Sequence, residues 1–256
     1  NRYADLSLDE DALIAAMQAI SGKDANQLAT MQAEQPEQYA ELRATAELFP
    51  SAMQESELGE IPLGWYLTTF GQVSTCFDKK RIPLSKRQRE ERQGSIPYYG
   101  ATSLMGYVDE HIFDGIYLLI GEDGSVLKDD GTPFIQYIWG KSWVNNHAHV
   151  LQGAESVSTE QLMCFMNTQN ITAYVTGAVQ LKLNQKNMNS IPFVNAIPEI
   201  NNKFKLLVDP LYSKIRALED QKVSLSAIRD SLLPKLLSGD LTVTNSDPVN
   251  EESTCV

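Results

Sequence analysis

Two short stretches hold the side chains best suited to hydrolytic chemistry. "GEDGSVLKDDG" contributes Glu122 and Asp123, and "NNHAHV" contributes His147 and His149. Carboxylates and imidazoles can hold a divalent ion that activates water, so this set fits a metal-dependent DNA hydrolase. If "NNHAHV" were a strand, the two histidines would point to the same face.

A structural interpretation of these residues is favoured. Asp-Gly pairs commonly form hairpin turns, because glycine accepts a positive φ, and no third ligand accompanies the histidines at a zinc-site spacing. The sequence contains no GxxxxGK[ST] or GxGxxG loop and no GxSxG motif. Its three cysteines, Cys76, Cys164 and Cys255, are far apart and odd in number, which favours a reducing cytoplasm. We therefore expect no catalytic residue, metal or cofactor in this chain.

The groups that are enriched are those that contact nucleic acid. "KKRIPLSKRQREER", residues 79–92, holds seven basic and two acidic residues, and "SIPYYGATSLMGY", residues 95–107, adds aromatic rings and hydroxyl groups. Cations neutralise phosphates, arginine can pair with guanine, and the glutamine of "TGAVQLKLN" could pair with adenine. The candidate DNA-binding residues are Lys79, Lys80, Arg81, Lys86, Arg87, Arg89, Arg92, Tyr98, Tyr99, Thr102, Ser103, Lys141, Gln180 and Lys182.

The net charge of −12 does not exclude such binding, because the charge is unevenly distributed. Residues 1–60 carry −9 and residues 240–256 carry −4, which leaves residues 61–239 at +1. The middle of the chain is therefore electrostatically distinct from its ends. No apolar run approaches the roughly 20 residues that a membrane-spanning helix needs, so we expect no membrane partner.

The elements that must position these groups indicate an α+β fold. Residues 1–58 are predicted to be an acidic helical segment and connector, with a helix from Asp9 to Ile20, Asp9 as its cap, and further helix from 25 to 48 interrupted near Pro36. Residues 59–198 alternate short apolar runs with turn residues, which predicts a globular mixed domain with one helix at about 159–169.

A long helix is predicted over residues 199–239, followed by a disordered tail over 240–256. Apolar residues recur at alternating steps of three and four, which is typical of a coiled-coil seam. Pro210 and Pro234 would kink or bound this helix, and Gly239 would end it. The predicted subunit-interface residues are Phe204, Val208, Leu211, Ile215, Leu218, Leu225, Leu232 and Leu236.

Six motifs occur in the order found in one known family. They are "GEIPLGW", "IPYYGATSLMGYVD", "FDGIYLLIGEDGS", "GKSWVNNHAHVL", "TGAVQLKLN" and "IRDSLLPKLLSGDL", between about Gly59 and Val243. In this order they resemble the specificity subunits of type I restriction-modification systems. In these, a target-recognition domain followed by a long conserved helix occurs twice, the two helices pair antiparallel, and each domain reads one half of a split double-stranded DNA site.

The resemblance implies a non-catalytic subunit with catalytic partners. Two methyltransferase subunits that use S-adenosylmethionine, and restriction subunits that use ATP and magnesium, would dock on it. The lack of a methylation motif and of a P-loop agrees with that division of labour. Only one recognition domain and one long helix are visible, so we expect the second half of a longer subunit, or alternatively a half-length subunit that dimerises.

Two other hypotheses remain open at this point. The first is the metal-dependent DNA hydrolase that would use Glu122, Asp123, His147 and His149. The second is a structural adaptor that acts only through its long helix. Cleavage of DNA with magnesium or manganese would favour the first, and capture of a methyltransferase by the long helix alone would favour the second.

Overall fold

Three short helices come first in the chain. A computed structural model describes residues 9–177 and 179–241. The helices are α1, Glu10–Ser21, α2, Ala25–Glu34, and α3, Pro36–Ala46. Asp9 caps α1 by accepting a hydrogen bond from the Ala12 amide at 2.8 Å, and Asp24 and Gln27 form a reciprocal capping box at α2. The predicted cap at Asp9 and the predicted interruption near Pro36 are confirmed.

The three helices enclose a small apolar core of their own. Leu13 and Met17 of α1 are buried against Leu28 of α2 and Ala46 of α3. Leu13 and Met17 are four residues apart and therefore lie on one face of α1, as the periodicity predicts. The N-terminal helical segment is thus a packed element of the fold.

A hairpin occupies part of the segment that is predicted to be a connector. Its strands are β1, Met53–Ser56, and β2, Gly59–Pro62, which pair antiparallel. Gly59 closes the turn with a φ of +97°, and the Ser56 hydroxyl donates a hydrogen bond to its carbonyl at 2.6 Å. Four-residue strands rich in glutamate carry little alternation, which is why the pattern did not predict them.

The middle of the chain consists of short strands interrupted by three helices. The strands are β3, Tyr66–Thr69; β4, Ser74–Cys76; β5, Ile96–Tyr99; β6, Leu104–Val108; β7, Phe113–Asp114; β8, Tyr117–Gly121; β9, Asp123–Gly124; β10, Ile135–Ile138; β11, Lys141–Val144; β12, Ala148–Gly153; β13, Leu181–Lys182; and β14, Pro192–Asn195. The helices are α4, Lys86–Glu91; α5, Thr159–Thr168; and α6, Gln185–Asn189. Helix α5 lies where the sequence predicts it.

Two four-stranded sheets form the centre of this region. The first has the order β10-β8-β12-β4 and is antiparallel throughout. The second has the order β6-β5-β11-β7, with β11 parallel to β5 and the other pairs antiparallel. The remaining strands form the two-stranded sheets β1-β2, β9-β13 and β3-β14. This mixture of helices and strands confirms the α+β fold class.

The two central sheets share one hydrophobic core. Leu119 of β8 and Val150 of β12 belong to the same buried cluster as Phe113 of β7 and Val144 of β11. Every residue of β8 is buried, because the strand is central in its sheet and α5 packs against it. A continuous apolar strand is the pattern expected for such a position.

A helix of 41 residues, α7, runs from Pro198 to Ser238. Pro210 and Pro234 both lie inside it, so neither bounds it, and Gly239 follows with a φ of +80°. A left-handed glycine directly after the last turn is a common helix stop, as predicted here. Of the predicted tail, residues 242–256 lie outside the described part of the chain.

The chain divides into two compact units between Asp209 and Pro210. The first contains the N-terminal helices, all the strands and the first turns of α7, and the second is the remainder of α7. Within the described residues, no helix is long and apolar enough to cross a membrane.

Candidate nucleic-acid interface

The basic segment lies on one face of the second sheet, the sheet with the order β6-β5-β11-β7. The indole nitrogen of Trp143 in β11 donates a hydrogen bond to the Ile82 carbonyl at 2.7 Å, and the Leu84 amide donates to the Tyr98 hydroxyl at 3.1 Å. Ser85 then caps α4 in a capping box with Gln88. Two buried aromatic residues thus fix the chain that leads into α4.

Two arginines hold α4 against the sheet. The Arg89 guanidinium lies 5.1 Å from the centre of the Tyr98 ring and donates a hydrogen bond to the Met105 carbonyl at 3.2 Å. Arg92 lies 4.9 Å from the centre of the Trp143 ring. These cation–π contacts favour one orientation of the helix over the sheet.

Arg92 is also held by two carboxylates. It pairs with Asp109 at 2.9 Å and with Glu110 at 2.6 Å. The hydrogen bond to Glu110, together with the charge and hydrogen bond of Asp109, raises the pKa of Arg92 despite some loss of hydration. A phosphate would have to compete with both acids for Arg92, so we rank Arg92 below the outward cations.

Lys86 and Arg87 point away from the sheet. Their side chains are 84% and 87% exposed, and each pairs with an acid one turn later on α4, Glu90 at 3.9 Å and Glu91 at 2.8 Å. Such exposed pairs contribute little free energy, so a phosphate can displace them at low cost. These two cations are therefore accessible on the outer side of α4.

Three further lysines among the candidates are solvent-exposed. Lys79 and Lys80 lie in a short 3-10 helix, Asp78–Lys80, and the Lys80 ammonium is 5.2 Å from the centre of the Phe77 ring. Lys141 begins β11 and lies two residues before Trp143, on the same face of the sheet as α4. The structure therefore brings Lys141 and α4 to one side of the domain.

Two of the predicted contact residues, Arg81 and Tyr98, are largely buried. The Arg81 side chain is 11% exposed and Tyr98 is 1% exposed. Adjacent tyrosines on a strand face opposite sides: Tyr99 packs against the shared core, whereas Tyr98 faces α4 and is covered by Arg89. Neither residue presents its polar group to a ligand in this conformation, so both act in support of the surface.

Arg81 is instead the centre of a buried ionic network. One of its terminal nitrogens lies 2.8 Å from Glu122 Oε2 and donates to the Ala148 carbonyl at 2.6 Å. The other lies 3.3 Å from Asp78 Oδ2. The network thereby ties the start of the basic segment to the ends of β8 and β12.

His149 completes this network from the opposite side. It is 1% exposed; Nδ1 lies 2.6 Å from Asp78 Oδ2, and Nε2 lies 2.8 Å from the Leu183 carbonyl. Burial would raise the pKa of Asp78, but the His149 hydrogen bond and the charges around it hold the pKa below its ordinary value.

A second cluster of possible metal ligands consists of Cys76, Asp78 and His149. Their donor atoms lie within 4.8 Å of one another. Both imidazole nitrogens are already engaged, and Asp78 Oδ1 accepts from the Val150 amide at 2.9 Å. Burial raises the pKa of the Cys76 thiol to about 12. The donor set is therefore arranged for internal hydrogen bonding.

The arrangement of the hydrolase candidates does not support that hypothesis. His147 precedes β12, is about half exposed and pairs with Asp123, whereas His149 is buried with Asp78. Glu122 is held by Arg81 and by Lys182, whose ammonium lies 3.4 Å from its other oxygen. The four residues do not converge on one open site.

The other candidates are distributed over two places. Thr102 and Ser103 form the turn between β5 and β6, where the Gly100 amide donates to the Ser103 carbonyl at 2.9 Å. Tyr99 is half-buried against the shared core, and burial, with Tyr107 nearby, raises its pKa. Gln180 is exposed, and Lys182 is paired with Glu122. No contact joins Gln180 or Lys182 to α4 in the described residues.

Sequence reasoning missed one exposed feature of this surface. Leu104, Met105 and Tyr107 of β6 are 42%, 48% and 49% exposed. Three large apolar residues within four positions resemble a buried strand, and only the edge position of β6 exposes them. The irregular alternation of apolar residues around Gly106 was the sequence signal that could have indicated this exposure.

The predicted interface residues of the long helix divide between the units. In the first unit, Phe204 and Val208 are partly buried and line an apolar groove with Leu48 and Phe49. In the second, the seam residues are exposed: Leu211 61%, Ile215 46%, Leu218 52%, Leu225 64%, Leu232 39% and Leu236 39%. An apolar row of this length on a helix is the pattern of a surface that pairs with another helix.

The chain is similar in sequence to two specificity subunits of Haemophilus influenzae. A putative type I restriction enzyme specificity subunit of Haemophilus influenzae is 32% identical over 121 residues, covering 47% of this chain and 30% of that protein. The type I restriction enzyme HindI specificity subunit of the same organism is 26% identical over 261 residues, covering 91% of this chain and 55% of that protein. The chain thus spans about half the length, or less, of these relatives.

Solved structures of S subunits are more distant. The S subunit of a type I restriction-modification system from M. genitalium is 19% identical with a TM-score of 0.45, covering 89% of this chain and 57% of that one. The HsdS subunit from Thermoanaerobacter tengcongensis is 14% identical with a TM-score of 0.38, covering 90% and 58%. The family described as "Type I restriction modification DNA specificity domain" matches residues 62–220. The chain therefore belongs to the family of type I restriction-modification DNA specificity domains.

Proposed function

We propose that this chain is the DNA-reading half of a type I specificity subunit and recognises one part of a split double-stranded site. Residues 59–198 would form the target-recognition domain, and residues 199–239 the helix that spaces it and joins it to other subunits. Residues 1–58 would remain an acidic helical segment before the reader. Such a reader would work in the cytoplasm, where cellular DNA is accessible.

The observation that carries this proposal is the position of α4. Tyr98 and Trp143 fix it over a sheet of the matched domain, while Lys86 and Arg87 stay 84% and 87% exposed. A rigid helix with outward cations can neutralise phosphates and fix the register of a protein on a duplex. Lys79, Lys80 and Lys141 would extend the same contact, and Thr102 and Ser103 would add hydroxyl donors.

The long helix supplies the second part of the proposal. Its exposed apolar seam needs a partner, and an antiparallel helix from the other half of the subunit, or from a second copy of this chain, fits that need. Two methyltransferase subunits would then dock on the assembly, together with restriction subunits. S-adenosylmethionine, ATP and magnesium would serve those partners, and this chain would contribute no catalytic group.

The test uses the specificity subunit assembled with its methyltransferase partner. Methylated adenines are mapped in cells that carry the complete system, and a duplex with that site is used to measure binding at several salt concentrations. Replacing Lys86 and Arg87 by alanine should weaken binding and lower the slope of log affinity against log salt by about two, one for each lost phosphate contact. The fold should persist, because both side chains are exposed.

The matched control is Lys23→Ala combined with Arg43→Ala. It removes a lysine from the loop between α1 and α2 and an arginine from α3, so the net charge changes equally. The control should bind with the wild-type salt slope. An unchanged slope in the Lys86 and Arg87 variant would remove α4 from the interface. If the purified chain cleaved DNA unaided, or if no adenine were methylated at a defined sequence, the proposed function itself would be wrong.

A further inference from the structure

Strand β6 carries an apolar ridge, which we define as Leu104 and Met105. Their side chains are 42% and 48% exposed, and β6 is an edge strand of its sheet. Edge strands of soluble proteins are usually protected by charges or covered by another element. An exposed apolar ridge on such a strand indicates a contact surface.

Met105 is held in place by its surroundings. The pairing of β5 with β6 shifts between Tyr98 and Tyr99, so that Met105 is the residue left without a partner in β5. Such bulges redirect a side chain away from the regular pleat. The Met105 carbonyl accepts a hydrogen bond from Arg89 at 3.2 Å, so its backbone is tied directly to α4.

The side chain of Met105 is positioned as well. Its sulfur lies 3.5 Å from the Asn145 amide nitrogen and packs over Gly100, where an added Cβ would come within 2.4 Å of it. A residue larger than glycine at position 100 would displace this thioether. The exposed part of Met105 is therefore a preorganised apolar projection beside the basic helix, and a rigid contact loses less entropy on binding.

The surroundings of the ridge favour a DNA duplex as its partner. Through Arg89, Met105 is joined to the helix that carries the exposed Lys86 and Arg87. Cations beside an apolar projection match a duplex, in which phosphates flank the apolar groups of the bases. The major groove presents one such group, the 5-methyl of thymine, and apolar side chains distinguish it from the other bases.

We propose that Met105 enters the major groove and selects an A·T base pair by contact with the thymine methyl group. This inference rests on the proposed function, because it requires that α4 lies on the phosphates. It assigns a specificity-determining role to Met105, which is not among the predicted DNA-binding residues. The contact would read one position of the half-site that this chain recognises.

The first test uses the wild-type complex and needs no variant. Each thymine of the mapped half-site, in either strand, is replaced singly by deoxyuridine, which lacks only the 5-methyl group. At one position the affinity should fall by roughly five-fold or more, as expected for loss of one specific base contact. The same replacement at thymines outside both half-sites is the internal control for general effects of deoxyuridine.

The second test compares Met105→Ala with Met105→Leu in the same complex. Met105→Ala should be insensitive to deoxyuridine at that one position and should relax the methylated motif there. Met105→Leu keeps an apolar chain of similar volume and should retain the preference. Tyr107→Ala, which removes an exposed ring from the face of β6 opposite α4, is the control and should retain the discrimination.

The outcomes separate this inference from the proposed function. A wild-type complex that methylates a defined sequence but ignores every deoxyuridine would overturn the role of Met105 and leave the reader intact. A half-site made only of G·C pairs would overturn it too. If Met105→Ala methylated the same DNA sequence as the wild type but lost a protein subunit from the complex, the ridge would instead be a protein contact. Absence of any methylated sequence would contradict the proposed function itself.

Discussion

Arg81 and Glu122 form an ion pair of 2.8 Å although 41 residues separate them in the chain. Their side chains are only 11% and 15% exposed, so water screens the pair poorly. The pair joins the first residues of the basic segment to the end of β8. A basic side chain that the sequence assigns to DNA thus acts in the interior of the domain.

Removing one member of this pair should destabilise the domain strongly. Arg81→Ala removes the cation that Glu122 and Asp78 share and leaves them only Lys182 and His149, and breaking a buried ion pair costs up to about 3–5 kcal/mol. Urea unfolding followed by tryptophan fluorescence measures the free energy of unfolding. Arg87→Ala, which removes the same residue type from an exposed pair, is the control and should change that free energy little.

The double variant Arg81→Met with Glu122→Gln separates this explanation from a simple packing loss. Because no charge of the pair remains, the double variant should lose less free energy of unfolding than the sum of the losses in Arg81→Met alone and Glu122→Gln alone. Additive effects would contradict a direct interaction. A normal unfolding free energy for Arg81→Ala, together with reduced DNA binding, would return Arg81 to the contact set.

Acidification should weaken the same network through Asp78. Its pKa is lowered in the folded protein, so between that value and the ordinary value near 4 the unfolded chain binds more protons than the folded one. The stabilisation from Asp78 is therefore complete at pH values above its ordinary pKa and is lost as the pH falls through its lowered pKa. Unfolding free energies measured from pH 7 to pH 3 should show this loss.

Asp78→Asn provides the comparison for the acid effect. Asparagine keeps the shape and can accept from the Val150 amide, but it carries no proton equilibrium in this range. The variant should be less stable at neutral pH and should show a flatter pH dependence below pH 4. An identical slope in both proteins would assign the acid sensitivity to other carboxylates.

The two described cysteines should differ in reactivity. Cys76 is partly buried, and burial raises the pKa of its thiol to about 12, whereas Cys164 is exposed on α5. Since the thiolate is the reactive form, iodoacetamide at pH 8 should alkylate Cys164 and leave Cys76 largely unmodified. Peptide mass spectrometry gives the ratio, and urea-unfolded protein, in which both react, is the control. Rapid labelling of native Cys76 would contradict the buried network around Asp78.

Local patterns predicted the helices well, because their signals lie within a few residues. Asp9 as a cap, Leu13 with Met17 as a buried face, and Gly239 as a stop all follow from spacing and backbone preference. The outcome for Tyr98 was accessible only in part. Alternation places Tyr98 and Tyr99 on opposite faces of β5, but the burial of Tyr98 depends on α4 and Arg89 covering its face.

The roles of individual cations were not accessible in the same way. Arg81 and Lys86 belong to one basic run, yet Arg81 is buried because Glu122, Ala148 and Asp78 surround it in the folded chain. These partners come from distant strands, and no local pattern records them. The exposure of Met105 likewise depends on β6 being at the edge of its sheet. Tertiary pairing decided both cases.

Charges placed on the exposed seam should prevent helix pairing while leaving the first unit folded. Leu218 and Leu225 are 52% and 64% exposed and are seven residues apart on α7, so they share one face. Leu218→Glu with Leu225→Glu would bury two carboxylates in any coiled-coil interface, which is strongly unfavourable. Size-exclusion chromatography with light scattering of the assembled subunit should show loss of the paired species. Ala227→Glu, on the face of the helix away from the seam, should assemble normally. If the seam variant and this control assembled equally, α7 would not be a pairing helix, and the spacing role proposed for it would have to be abandoned.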